Sequence, residues 1–127
     1  MTGFIDNIEK STQENTNFRK VLFTGAHSQL VLMSLLPKEE IGMEVHPNVD
    51  QFFRIESGEG KVVMNGEESI FSDGFVFVVP AGVNHNIINT SDTKTLKLYT
   101  IYSPANHKPG VIHATKADAE YAEVHGE

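Results

Sequence analysis

The sequence predicts an all-β domain, a sandwich or barrel, carrying one short C-terminal helix. Three observations predict it. Roughly eight or nine short strand-like runs recur at spacings of about 8–12 residues with turn signals between them, the rhythm of all-β folds. Asn65-Gly66 lies between two such runs, the strongest short-range hairpin signal. Helical patterning follows Thr115, where Asp118 completes a capping-like arrangement ahead of ADAEYAEV.

Taken in order, residues 1–17 show little apolar periodicity and read as a polar loop or arm. Residues 18–24 form a first strand and 25–28 a turn. Residues 29–36, QLVLMSLL, are almost wholly apolar, which suits a strand covered on both sides; Pro37 stops the rival helix early. A charged turn at 38–40 precedes a short strand at 42–46, broken by Pro47 and Asn48. On the next strand, 51–56, Gln51, Phe53 and Ile55 share one face. Residues 57–60 turn the chain, 61–64 and 68–71 flank the hairpin, and 72–74 turn again. FVFVV at 75–79 reads as a strongly apolar strand. Pro80-Ala81-Gly82 turns into strands at 85–89 and 96–102, joined by TSDTK. The expectation is one domain over 1–127: an arm at 1–17, a barrel core at about 18–102 and an extension at 103–127.

A chain of 127 residues suits one domain and buries a core without staples. It has no cysteine, which excludes disulfides, thiolate metal sites and a cysteine nucleophile, and is compatible with a reducing cytosol. A polar N-terminus with early acids is not expected to be a signal peptide, so a cytoplasmic location is expected. Apolar runs fall short of the roughly 18 residues of a membrane span, and no membrane partner is expected. The net charge of -7 argues against nucleic acid, which needs a basic face, and favours solubility and a cationic ligand such as a metal.

The stretch from Pro37 to Asn89 carries the chemistry. Gly74, Pro80, Gly82, His85 and Asn89 form G-x5-P-x-G-x2-H-x3-N with every spacing intact. Upstream, Lys38, Glu44, His46, Gln51 and Gly58 keep the spacings of G-x5-H-x-H-x3,4-E-x6-G, with Lys at the leading Gly, Glu at the first His and Gln at the Glu. With these two motifs the chain resembles the cupin superfamily. It is similar to small single-domain bacterial cupins often labelled mannose-6-phosphate-isomerase-like, through EVHPNVDQFFRIESGEG and YSPANHKPGVIHATKADAE. The resemblance implies a double-stranded β-helix, or jelly roll, with one metal ion near the barrel axis. By the same analogy it implies a homodimer, for which the N-terminal arm and residues 29–36 are candidate contacts.

The ligand set implied is Glu44, His46, Gln51 and His85. Glu44 and His46 are two apart and point the same way on a strand, and the turn through Pro47 to Asp50 resets the phase so that Gln51 points inward. Two imidazoles, a carboxylate and an amide oxygen suit one divalent ion: Zn, Mn, Fe, Ni or Co. Against the three His and one Glu that the resemblance implies, the acid has moved and the single negative charge is kept. Fewer imidazoles shift preference towards Mn or Fe. Any one of the four alone reads as a polar strand-end residue; their co-occurrence in two spaced motifs points to a site. Asp50 replaces Gln51 if the register slips by one residue.

His27 reads as a surface turn, His107 and His113 as loop residues after the last strand, and His125 as tail. Phe53, Ile55, Phe75, Phe77, Tyr99 and Tyr102 supply lining, and Arg54 faces outward from Gln51. Asn84 and Asn86 flank His85 and transfer no proton. The expected function is a small metal-binding barrel that acts on or binds a small polar molecule such as a sugar or keto acid. Isomerase, lyase and dioxygenase chemistry stay open beside a non-catalytic metal- or ligand-binding module.

Overall fold

Alternation of buried and outward positions sorts the strands into two facing sheets. The computed structural model describes residues 2–126; Met1 and Glu127, the ends of the expected domain, lie outside them. The elements run α1 (Ile8–Glu14), β1 (Arg19–Thr24), β2 (Gln29–Leu35), β3 (Asp50–Ser57), β4 (Glu59–Met64), β5 (Glu67–Ser72), β6 (Val76–Val79), β7 (His85–Asn89), β8 (Leu96–Ser103), β9 (Ile112–His113) and α2 (Lys116–Val124). A six-stranded sheet has the order β6-β3-β8-β2-β1-β9 and a three-stranded sheet the order β5-β4-β7. The architecture is the expected jelly roll with its C-terminal helix.

Gln51, Phe53 and Ile55 on β3 are buried, as alternation predicts. Phe53 stacks on Phe77 at 4.8 Å and Phe77 meets Phe71 of the other sheet at 5.3 Å, so aromatic rings join the two layers into one core. At the β4–β5 hairpin Asn65 and Gly66 take φ of 48° and 84°, the left-handed pair that a two-residue turn demands. Within β4, Gly60 is required by contact: a Cβ there would lie 2.3 Å from the Ile88 carbonyl and 2.7 Å from the Phe71 ring. Thr115 caps α2 by accepting the Asp118 N–H at 3.1 Å, as its sequence suggests.

Several expectations need correction. The N-terminal arm contains a helix, α1, whose first turn is capped by Asn7. It packs on β8 and β3 and buries Thr12, so tertiary docking orders a segment with little periodicity of its own. Residues 42–46 are not a strand. Glu44 meets β7 by one isolated bridge to His85, and Glu40, ahead of the segment, by another to Ile88; no ladder forms because Gly42 turns left-handed and its N–H goes to the Asn86 side chain. The turn expected at 57–60 shrinks to Gly58 between β3 and β4. The apolar run 75–79 is an edge strand, and Phe75, Val76 and Val78 are about half exposed, so Phe75 lines nothing internal. β2 is paired on both sides, by β1 and β8, and nearly all of it is buried; it is not a free surface for dimer contact.

Candidate metal centre

Three of the four expected ligands converge. Ligand atoms of Glu44, His46 and His85 lie within 4.8 Å of one another, a His/Glu cluster able to coordinate a divalent ion. Backbone geometry brings them together. Glu44 and His85 exchange N–H···O bonds of 2.8 and 2.9 Å, which sets them directly opposite each other. The Gly82 N–H donates to the His46 carbonyl at 2.9 Å, tying the second ligand to the Pro-x-Gly turn. Asn86 holds the approach: its Oδ1 accepts the Gly42 N–H and its Nδ2 donates to Glu40. The neighbour of His85 that transfers no proton thus positions the segment carrying Glu44. The motif register has support from Lys38, which stands at the glycine position with φ of 65°.

The donor atoms are prepared for a cation. His85 Nδ1 donates to the Val83 carbonyl at 3.0 Å; a carbonyl only accepts, so Nε2 keeps its lone pair. Gln51 is 2% exposed. Its amide orientation follows from the network: the Thr100 hydroxyl donates to the Phe52 carbonyl at 2.8 Å and so accepts from Gln51 Nε2 at 3.0 Å. That leaves Gln51 Oε1 buried with no hydrogen-bond partner among the described residues, and His46 Nε2 is in the same condition. Each such orphan costs about 1–3 kcal/mol, so a bound cation fits these residues. Gln51 pairs with Tyr102 across β3–β8, and the Tyr102 ring stands edge-on to His46 at 6.0 Å. Asp50, the register alternative, is exposed and accepts the Ala81 N–H at 2.9 Å; it serves the turn.

Burial holds the Glu44 carboxyl above its ordinary range, against the opposing pull of Arg19 and His85. Burial lowers His46, aided by the charges of His85 and Arg19. A cavity of about 470 Å3 opens onto Glu44 and His46, with Arg19, Asn106, His107, Ala119 and Glu123 among its walls.

The chain belongs to the cupin family. Residues 31–102 match the cupin domain. The chain is 51% identical to the uncharacterized protein YrkC of Bacillus subtilis, over 94% of this chain and 67% of that protein. It is 47% identical to the uncharacterized protein L612 of Acanthamoeba polyphaga mimivirus, over 86% and 70%. Its fold superposes on the crystal structure of BH2720 from Bacillus halodurans with a TM-score of 0.91 at 43% identity, covering 94% of each chain. TT1209 from Thermus thermophilus shares the fold at a TM-score of 0.69 and 24% identity, over 79% of this cupin and 96% of that chain.

Other residues of this cupin's cavity were not legible as such. His107 is no plain loop residue: its Nε2 lies 3.2 Å from the Tyr102 hydroxyl, and burial, with the charge of Arg19, depresses it to about 3. Gln29 sets its place, accepting the Asn106 and His107 N–H groups at 3.0 and 2.9 Å and donating to the His107 carbonyl at 2.7 Å. His113 is buried on β9 beside Arg19, its Nδ1 3.4 Å from the guanidinium. His27 and His125 are exposed, as expected. Arg54 reaches Glu56 at 3.3 Å.

Proposed function

We propose that this cupin holds one divalent ion, Zn, Mn, Fe, Ni or Co, through Glu44, His46 and His85 with Gln51 Oε1 as the fourth donor, and that its cavity acts on or binds a small polar molecule such as a sugar or keto acid. The observations that carry this reading are the Glu44, His46 and His85 cluster and two orphaned buried atoms, His46 Nε2 within it and Gln51 Oε1 on β3, the strand that follows the loop carrying Glu44 and His46. Such an ion would supply Lewis acidity towards a carbonyl or hydroxyl oxygen. The chain's own part is to orient the donors: Thr100 turns the Gln51 amide and the Val83 carbonyl fixes the His85 tautomer. Elemental analysis of untagged protein purified without added metal tests it. About one equivalent of a divalent metal is expected, and a metal-free protein that also refuses added Zn or Mn would end the reading.

A non-catalytic binding module is the second reading. It is favoured by His107, the remaining imidazole on the wall, which is neutral near pH 7 and already engaged with Tyr102, so it brings no proton to a reaction. Turnover of any small sugar or keto acid by the metal-loaded protein would exclude it. Placement in the mannose-6-phosphate-isomerase-like group is proposed on the two matching segments alone. We further propose a cytoplasmic homodimer with no nucleic-acid or membrane partner. The acidic, cysteine-free composition supports the location and the absence of nucleic acid. The exposed edge residues Phe75, Val76 and Val78 support the dimer, and among the described residues no helix is long and apolar enough to cross a membrane. Sedimentation equilibrium that finds only monomer would remove the dimer.

A further inference from the structure

The most unusual group near the proposed centre is a cation. Arg19 is 7% exposed, yet among the described residues no Asp or Glu forms an ion pair with it. Its Nε is buried without a hydrogen-bond partner. Its contacts are weak ones: Nη1 lies 3.4 Å from a His113 nitrogen, and the guanidinium sits 5.4 Å from the centre of the Phe18 ring. A buried guanidinium ordinarily takes a carboxylate as its partner, because its planar fork matches two oxygens and desolvation is otherwise uncompensated. Here the side chain forms a wall of the same cavity that opens onto Glu44 and His46.

We propose that Arg19 is the anion subsite of this cavity and that the ligand is a small monocarboxylate bearing an oxo or hydroxyl oxygen next to the carboxylate. The carboxylate takes the guanidinium, and the neighbouring oxygen faces Glu44 and His46. Charge selects the monoanion. With a divalent ion present, Arg19, Glu44 and Glu123 leave one net positive charge in the cavity, since His107 is held neutral. A phosphate dianion overshoots that balance, and a neutral sugar leaves the guanidinium unpaired. The volume, about 470 Å3, accommodates a molecule of this size. The charge balance and the role of the neighbouring oxygen rest on the metal reading above; the lack of a carboxylate partner for the buried Arg19 among the described residues does not.

The chain has two arginines, Arg19 and Arg54, so the side-chain Nε–H region of a nitrogen-15 spectrum carries two signals, and Arg54→Lys assigns them without touching the cavity. Pyruvate is titrated into Zn-loaded protein, with pyruvamide as the probe that keeps the oxo group and loses the charge. The expected result is a saturable shift of the Arg19 signal with pyruvate, an apparent affinity at least tenfold weaker for pyruvamide, and a still Arg54 signal. An Arg19 signal unmoved by pyruvate, or moved equally by pyruvamide, overturns the subsite. A protein that takes up neither Zn nor Mn ends the metal reading and with it the charge balance; the same titration on that protein then decides whether Arg19 alone takes the carboxylate, upheld by a saturable Arg19 shift and overturned by none. Arg19→Gln should abolish pyruvate binding in calorimetry while Zn uptake stays within threefold of the parent.

Discussion

At the scale of single residues, the centre depends on donors whose alternative partners have been taken away. His85 gives one nitrogen to Val83, and His46 Nε2 is buried without a hydrogen-bond partner, 3.9 Å from the Glu44 carboxylate. His46→Ala and His85→Ala should each weaken Zn binding by at least about a hundredfold in competition with a chelator, more than the 10–100-fold typical of an outer-sphere change. A loss below threefold for either would place the ion elsewhere. His107 makes a separate prediction about pH. Burial, then the Arg19 charge, holds it at about 3, whereas an unfolded histidine titrates near 6.5. Below 6.5 the unfolded chain therefore gains a proton that the folded chain refuses. The stability from neutral His107 is full above 6.5 and drains as pH falls towards 3, with a slope of at most about 1.4 kcal/mol per pH unit. His46, also depressed, acts in the same direction. Glu44, raised by burial, acts in the opposite one, because its folded form takes up the proton first. In metal-free protein, His107→Gln should flatten the fall of the urea midpoint between pH 6.5 and about pH 5. An unchanged slope would acquit His107.

At the scale of elements, the smaller sheet is the tightest joint. β4 lies between β5 and β7, and Gly60 lets the Ile88 carbonyl and the Phe71 ring close on its backbone. Gly60→Ala must push β7 or Phe71 aside and should cost at least about 1–3 kcal/mol, read as a lower urea midpoint. Because β7 begins at His85, the same substitution should also weaken metal binding; a variant as stable as the parent would show that the contact relaxes freely. The strands themselves were legible because their signals are local: period-two burial on β3, Asn-Gly at the hairpin, a threonine ahead of α2. What was not legible came from afar. α1 is a short polar helix that docking stabilises. The 42–46 segment has strand-like residues, but a left-handed Gly42 and the reach of Asn86 across 44 positions deny it a ladder.

At the scale of the whole molecule, the candidate site gathers residues from the loop before β3 and from β7, with Gln51 of β3 proposed as a further donor, while the cavity adds β1, the segment after β8 and α2. The motif spacings expose the first group, since spacing along the chain is what a motif records. Arg19 and His107 belong to the second. They reach the cavity through β1–β9 pairing and through the Gln29 clamp, contacts with 94 and 78 positions between partners, and no local pattern announces them. Since the ligands come from separate parts of the fold, an ion that binds only the folded state must stabilise all of it. At a hundredfold excess over its dissociation constant it should add about 2.7 kcal/mol, measured as a urea midpoint higher in Zn than in EDTA. Equal midpoints would show that Zn does not engage the folded state.

The reciprocal pair of backbone bonds between Glu44 and His85 has a consequence for kinetics. Two donors are spaced by the peptide scaffold before any cation arrives, so capture requires little rearrangement of the polypeptide and proceeds mainly by shedding coordinated water from the incoming ion. Uptake should therefore track the intrinsic water-exchange rate of each metal, quick for Zn and Mn and sluggish for Ni, instead of sharing one common speed set by a rearranging loop.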